Sequence, residues 1–224
     1  MSTIAIIPAR GGSKGIKNKN IIDLNGKPLI YYTLNTLLNT PKIDKVVVST
    51  DDIKIMNAIS DLFGTKIDII QRPADISGDT TPSEPVILHA LENNQNYEHT
   101  LFVQCTSPLT EEEDFTALIQ KIEEGYDSTA FYINDYSFFF DMDDQEIRSI
   151  RKPRQERKPR KREVGNGWAF STQGFLKHKC RLFGQVGLCE IQPPKHLEID
   201  TPEDLNIIKI LMRSQTNISV GKGV

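Results

Sequence analysis

Short runs of β-branched and apolar residues alternate with amphipathic stretches along most of this chain, and that rhythm restricts its fold more than any other feature. The first run, Thr3–Pro8, is apolar without a break through Ile4-Ala5-Ile6-Ile7, the pattern of a strand buried on both faces of a parallel sheet. Residues 28–40 have helical spacing, with Pro28 at the start and Leu29, Ile30, Leu34, Leu37 and Leu38 on one side. Residues 45–50 predict a second buried strand. Asp51-Asp52 stand where the N-cap of a helix over residues 53–63 is expected, and Gly64 is its stop. The alternation continues with strands over 66–71, 100–104 and 128–133 and helices over 83–93 and 111–124, the last with an acidic first turn. Such repetition predicts an α/β fold of Rossmann-like type, a mostly parallel sheet with helices on both faces. Ligands of such sheets bind at the carboxyl ends of the strands, so the loops after residues 8, 50, 72 and 104 should share one rim.

Beyond residue 133 the rhythm breaks. Phe138-Phe139-Phe140 is followed by the acidic stretch 141–144 and then by Arg151-Lys152-Pro153-Arg154-Gln155-Glu156-Arg157-Lys158-Pro159-Arg160-Lys161-Arg162, too irregular for a sheet core. Regular structure resumes over 166–171 and 186–191. Residues 203–212 predict a closing helix, with Thr201 as its cap and Pro202 at its first position. The expected organisation is a core over 1–133, a projecting basic and aromatic segment over 134–165, the remainder of the core over 166–213 and a frayed tail over 214–224. A chain of 224 residues is long enough to bury one sizeable core.

The polar stretch after the first strand carries the chemistry. Pro8-Ala9-Arg10-Gly11-Gly12-Ser13-Lys14-Gly15-Ile16-Lys17-Asn18-Lys19-Asn20 joins glycines, which let backbone N–H groups approach an anion, to the cations Arg10, Lys14, Lys17 and Lys19. The combination suits a triphosphate, and Arg10 can form paired hydrogen bonds to phosphate oxygens. The P-loop pattern GxxxxGK[ST] fails, because its Gly-Lys-Ser/Thr ending is missing. Gly11-Gly12-Ser13-Lys14-Gly15 formally matches the GxSxG nucleophile elbow, but lysines crowd it and His196 precedes Asp200, the wrong order for that site. A solvated basic loop is the competing reading of the glycines and lysines alone.

Residues 6–20, which include PARGGSKGIKNKN, resemble the N-terminal signature of the acylneuraminate cytidylyltransferases, the CMP-sialic acid synthetases. Three more segments resemble that family in order and approximate spacing: Val47-Val48-Ser49-Thr50-Asp51, Arg72-Pro73-Ala74-Asp75 through Ser83, and Gln104-Cys105-Thr106-Ser107-Pro108-Leu109. The similarity spans nearly the whole chain and implies an α/β fold of the nucleotide-diphospho-sugar transferase type. It implies that Arg10, Ser13, Lys14 and Lys19 contact the triphosphate of CTP, with Arg10 and Lys19 as catalytic cations. It further implies that Asn20, Arg72, Thr81 and Ser83 hold the cytidine and that Gln104, Thr106 and Ser107 face an acidic sugar. For Thr81, Ser83 and Thr106 a turn-stabilising or capping role is the competing reading.

His196-Leu197-Glu198-Ile199-Asp200-Thr201-Pro202-Glu203-Asp204 forms a second cluster. The segment reads as a strand by alternation, which puts Glu198 and Asp200 on one face, where two carboxylates could hold Mg²⁺ together with substrate phosphates. The family pattern has aspartates at both places, so Glu198 departs from it and Asp200 is the firmer ligand. The competing reading is that these acids cap the final helix. The basic run 151–162 has eight Lys/Arg and one Glu. By resemblance this segment reaches across a homodimer and Arg154 contacts the sugar carboxylate. Read alone, it suggests a nucleic-acid patch or a solvated projection. Residues 136–140 also lack a lysine found there in some family members, which leaves the acceptor open.

The expected reaction is attack by the anomeric hydroxyl of a sialic-acid-like nonulosonic acid, a nine-carbon acidic sugar, on the α-phosphorus of CTP, releasing pyrophosphate. Legionaminic, pseudaminic and Kdo-type acids are the alternative acceptors, and Mg²⁺ is the expected cofactor. A serine hydrolase built on Ser13 and a nucleic-acid-binding protein built on 151–162 are the rivals. A net charge of −3 argues against general nucleic-acid or membrane-surface partners, and no aromatic residue lies between 151 and 162 to stack on a base. Three cysteines without a C-x-x-C pair suit a reducing compartment. No apolar run reaches the roughly 18 residues of a spanning helix. The start does not read as a signal peptide, so the expected location is the cytoplasm.

Overall fold

Every residue of strand β1 (Thr3–Pro8) before its terminal proline is buried, which requires apolar cover on both sides of the sheet. A computed structural model of the chain, which describes residues 1–139 and 151–220, supplies that cover. After β1 come a short hairpin of β2 (Asp23–Leu24) and β3 (Lys27–Pro28), helix α1 (Leu29–Asn39), β4 (Lys45–Thr50), α2 (Ile53–Phe63), β5 (Asp68–Gln71) and α3 (Ser83–Glu92). The second half comprises β6 (His99–Val103), α4 (Glu112–Glu123), β7 (Ser128–Asp135), β8 (Arg160–Ser171), α5 (Thr172–His178), β9 (Val186–Glu190) and α6 (Pro202–Val220).

Seven strands form one sheet in the order β5-β4-β1-β6-β8-β7-β9. Parallel pairs join β5 to β4, β4 to β1, β1 to β6 and β7 to β9, whereas β8 runs antiparallel to both neighbours. Side chains alternate across this sheet as a strand's period of two demands. Ala5 and Ile7 of β1 pack with α1, α2 and α4 through Leu34, Ile59 and Leu118. Ile4 and Ile6 pack on the other face with α3 and α5 through Ile87 and Phe175. Helix α6 covers a third cluster, in which Leu205 and Ile208 meet Ile16 and Leu24 from the segment after β1.

The helices begin where the sequence offers caps. Asp52 accepts a hydrogen bond from the Lys54 N–H at 2.7 Å to start α2, and Gly64 stops it at a φ of 58° that favours glycine. Glu111 and Asp114 form a reciprocal capping box at α4. Thr201 and Asp204 do the same for α6: the Asp204 N–H donates to Thr201 Oγ1 at 3.2 Å, and the Thr201 N–H donates to Asp204 Oδ2 at 2.8 Å.

Four expectations change. Residues 160–162 of the basic run, assigned to an irregular projection, belong to β8, because Asp135–Arg160 through Tyr132–Glu163 continue the β7–β8 ladder beyond a bulge. Helix α5 went unseen because Gly174 interrupts its pattern; Ser171 caps it by accepting from the Gly174 N–H at 2.9 Å, and Phe175 stacks on Phe170 at 5.1 Å. The expected frayed tail from 214 is helical to Val220, since no glycine or proline intervenes before Gly221. Residues 196–200 are not a strand: a single backbone bond, from the Ile199 N–H to the Thr106 carbonyl at 2.8 Å, ties them to the end of β6. Phe140, the acidic residues 141–144 and the last four residues of the expected tail lie outside the described residues.

Phe170 is fully buried between Phe175 and Phe183. Phe170→Ala is expected to cost about 3–5 kcal/mol, read as a lower urea midpoint with an unchanged slope.

Candidate active site

The parallel strands β1, β4, β5 and β6 end on one rim, and a cleft of about 470 Å³ opens there. Its first wall is the loop after β1. Ala9 ties that loop to β4 through its N–H and the Ser49 carbonyl at 2.9 Å, and the Gly11 N–H donates to Asp51 Oδ1 at 3.0 Å. A Cβ at Gly11 would run into the Asp52 side chain, and one at Gly15 into the backbone carbonyl of Asp200. Glycine is therefore needed twice, once against the start of α2 and once against the far end of the chain. Asn18, in the left-handed conformation at φ 54°, then turns the chain into a single 3₁₀ turn, Lys19–Ile21.

Lys19 is where the two ends of the sequence meet. Its side chain is only 18% exposed, and its Nζ lies 2.9 Å from Oδ1 of Asp200. Arg10, Ser13, Lys14 and Gly15 line the same cleft. Asn20 borders it too, but its amide is used internally: Nδ2 donates to the Arg10 carbonyl at 2.9 Å, and Oδ1 accepts from the Cys105 thiol at 3.0 Å. Asn20 thus fixes the backbone that presents Arg10. Burial pushes the Cys105 thiol up to about 11 despite nearby Lys19, so this sulfur stays protonated and is no nucleophile near neutral pH.

The second wall is the segment after β5. Arg72 is 5% exposed, and its guanidinium donates to the Ser49 hydroxyl at 3.2 Å and the Ser49 carbonyl at 2.6 Å. Burial lowers its pKa from the ordinary arginine value, Asp51 opposes that shift and the charge of Arg10 adds to it. Thr81 and Ser83 line the cleft where α3 begins. Asp79 projects from this segment to pair with both Arg10 and Lys14, the latter at 2.8 Å. Those hydrogen bonds, Lys14's first, hold the Asp79 carboxyl below the usual carboxylate range. Sequence reasoning missed Asp79, because Ser77-Gly78-Asp79-Thr80 reads as a turn and nothing local links it to residue 10.

At the third wall, Gln104 and Thr106 reach the cleft from the end of β6. Ser107 is 2% exposed and does not line the cleft, and neither its hydroxyl nor that of Thr106 has a hydrogen-bond partner among the described residues. Asp200 stands exposed at the cleft edge. Glu198 is half-buried behind the wall, accepting from the Gly165 N–H at 3.1 Å, and a Cβ at Gly165 would crowd its carboxylate. Desolvation, then the Gly165 hydrogen bond in opposition, then the charge of Asp200 set its pKa, with a net upward shift. Among the described residues no group of three or more His, Cys, Asp and Glu side chains is arranged as a metal cage. Arg154 is not brought to this cleft. It lies on the ribbon beyond β7 and β8, stacked over Tyr136 at 4.7 Å.

Residues 4–220 match the family described as Cytidylyltransferase. The chain is 29% identical to a pseudaminic acid cytidylyltransferase of Campylobacter jejuni over 95% of its own length and 97% of that protein. It is 39% identical to an N-acylneuraminate cytidylyltransferase of Escherichia coli over 54% of this chain and 27% of that protein. Among solved structures, a CMP:2-keto-3-deoxy-manno-octonic acid synthetase complexed with CTP superposes with a TM-score of 0.73 at 16% identity, covering 96% of this chain and all of that one. A 4-diphosphocytidyl-2C-methyl-D-erythritol synthase from Anaerococcus prevotii superposes with a TM-score of 0.69, also at 16% identity, covering 95% and 96% of the two chains. At that identity the likeness to solved structures is one of fold.

Gly12 has nothing near the place of a Cβ, whereas Gly15 has the Asp200 carbonyl. Gly15→Ala is expected to lower stability by about 1–3 kcal/mol through forced displacement of the loop. Gly12→Ala should stay within roughly 0.5 kcal/mol. Paired thermal denaturation curves check the contrast.

Proposed function

The chain belongs to the cytidylyltransferase family, and on that premise we propose that it transfers CMP from CTP to the anomeric hydroxyl of a sialic-acid-like, nine-carbon acidic sugar. The observation that carries this reading is the meeting of Lys19 with Asp200 in a cleft that also holds Arg10, Lys14 and Arg72. The names of the relatives point to an acidic sugar acceptor. Full-length alignment to the pseudaminic acid enzyme supports pseudaminic acid as the first alternative to a neuraminic acid. Legionaminic and Kdo-type acids remain further candidates.

Each group then has a task. Arg10, Lys14 and Ser13 bind the triphosphate, and Arg10 and Lys19 offset the charge that grows on the α-phosphate and the leaving pyrophosphate. Arg72, anchored on Ser49, directs its remaining N–H groups to the nucleoside, with Thr81 and Ser83 beside it. Gln104 and Thr106 orient the acceptor, and Ser107 supports them from behind. Catalysis of this kind rests chiefly on positioning and charge stabilisation. The donor set suits Mg²⁺, which takes one or two carboxylates and completes its shell with water and phosphate oxygens. Asp200 would hold it at the cleft edge, with Glu198 behind. When bound, the ion would neutralise phosphate charge and acidify the acceptor hydroxyl.

We further propose that the ribbon beyond β7 and β8 pairs with a second copy of the chain. Phe138 and Phe139 are exposed there, and Arg154 lies outside its own cleft, where it could serve a partner's sugar site. A cytoplasmic location fits three free cysteines, of which Cys105 and Cys189 are buried.

Pyrophosphate release is expected to require CTP, Mg²⁺ and an acidic nonulosonic acid together, and to stop on chelation and resume when Mg²⁺ is restored. A panel of acidic sugars, read by pyrophosphate release, identifies the acceptor; no release with any member and any nucleotide would remove the proposal. Arg10→Ala should cut turnover by about 10²-fold, the loss typical of one preorganised charge-stabilising donor.

A further inference from the structure

Two of the three cationic head groups expected to face the triphosphate, Arg10 and Lys14, share one partner. Arg10 pairs with one carboxylate oxygen of Asp79 and Lys14 with the other, at 2.8 Å. A carboxylate that gives one oxygen to each of two cations takes the place of two non-bridging oxygens of a phosphate. Arg10 and Lys14 come from the loop after β1 and Asp79 from the segment after β5, so the pairing links two walls of the cleft. We infer that Asp79 is an internal stand-in for phosphate, which the triphosphate displaces on binding and which recaptures Arg10 and Lys14 as pyrophosphate leaves.

The inference rests on the nucleotidyltransferase reading of this cleft. A polyphosphate brings several negative charges, and Arg10 and Lys14 cannot serve it and Asp79 together. Once stripped of its partners, the Asp79 carboxylate would be left beside those charges, and repulsion would drive it outward. The chain around it permits the movement. Asp79 sits between Gly78 and the residues leading into α3, in a turn closed by one backbone bond, from the Thr81 N–H to the Gly78 carbonyl at 3.2 Å. Thr81 and Ser83, on the same segment, border the cleft but make no ion pair that Asp79 would have to release. The cost is small: pairs this exposed are weak individually, so they do not bar a polyphosphate that brings several charges.

The test is calorimetric titration of wild-type protein and Asp79→Asn with pyrophosphate, CTP and cytidine. Asp79→Asn keeps the size of the side chain and removes the charge. It should bind pyrophosphate and CTP roughly three- to ten-fold more tightly, with cytidine affinity unchanged, and should show stronger inhibition by pyrophosphate during turnover. Asp79→Glu, which keeps the charge, should stay close to wild type. Equal or weaker pyrophosphate binding by Asp79→Asn, with wild type binding normally, overturns the stand-in role alone. Loss of cytidine affinity in the same variant also overturns it, by assigning Asp79 to the architecture of the segment. Wild-type protein that binds neither CTP nor pyrophosphate sinks the nucleotidyltransferase reading and this inference with it.

Discussion

The parallel registration of β1 with β4 on one side and β6 on the other is what every feature of the cleft depends on. Parallel strands end on the same rim, so three loops that are remote in sequence open towards one volume. The loop after β1 supplies cations, the segment after β5 supplies Arg72 and Asp79, and the end of β6 supplies Gln104 and Thr106. The late carboxylate joins them without a strand of its own. A single backbone bond from Ile199 to the Thr106 carbonyl, and a loop that carries no Cβ at Gly15, bring Asp200 to Lys19 across 181 positions of chain. An ion pair whose carboxylate stands in solvent is too weak to organise this meeting. It reports an arrangement that the sheet and the packing of α6 on Ile16 and Leu24 have already imposed.

Arg72, Arg10 with Lys14, and Asn20 all line the cleft and differ in environment. Arg72 is buried and tied to Ser49, so its position is set before any ligand arrives. Arg10 and Lys14 are more open, and they are held by a carboxylate that a stronger anion can replace. Asn20 is neither: its side chain joins the Arg10 carbonyl to Cys105 beneath. Under the proposed function, a rigid reader of the nucleoside beside adaptable binders of the phosphates is a sensible division, because the nucleoside is retained through that reaction while the phosphate chain is split.

Much of this was legible in the residues, for identifiable reasons. Thr3–Pro8, Lys45–Thr50 and Ile53–Phe63 have the same bounds in sequence and structure, since each combines an unambiguous period with a proline, aspartate or glycine at its edge. The cleft residues after β1 were legible because glycine and lysine crowd a strand's carboxyl end. What failed to show was tertiary. Helix α5 has a glycine inside it and forms because Phe175 finds Phe170. The extension of β8 back to Arg160 follows from pairing with β7, which a run of arginines, lysines and prolines does not announce. Residues 196–200 were read as a strand from alternation alone, and too few partners exist there to make one. Asp79 was invisible for the plainest reason, that an acid in a turn looks the same whether or not a distant arginine awaits it.

Strand β8 is antiparallel to both its neighbours, and its pairing with β7 runs on beyond its pairing with β6, from Tyr132–Glu163 to Asp135–Arg160. Its pairing with β6, from Val103–Gly167 to His99–Ser171, is set by residues on the cleft side of that extension. Length gained or lost in the sequence between β7 and β8 therefore leaves the phase of β8 against β6 untouched, and with it the wall bearing Gln104 and Thr106. Chain length between β7 and β8 is thereby uncoupled from the shape of the chamber that β6 helps to wall.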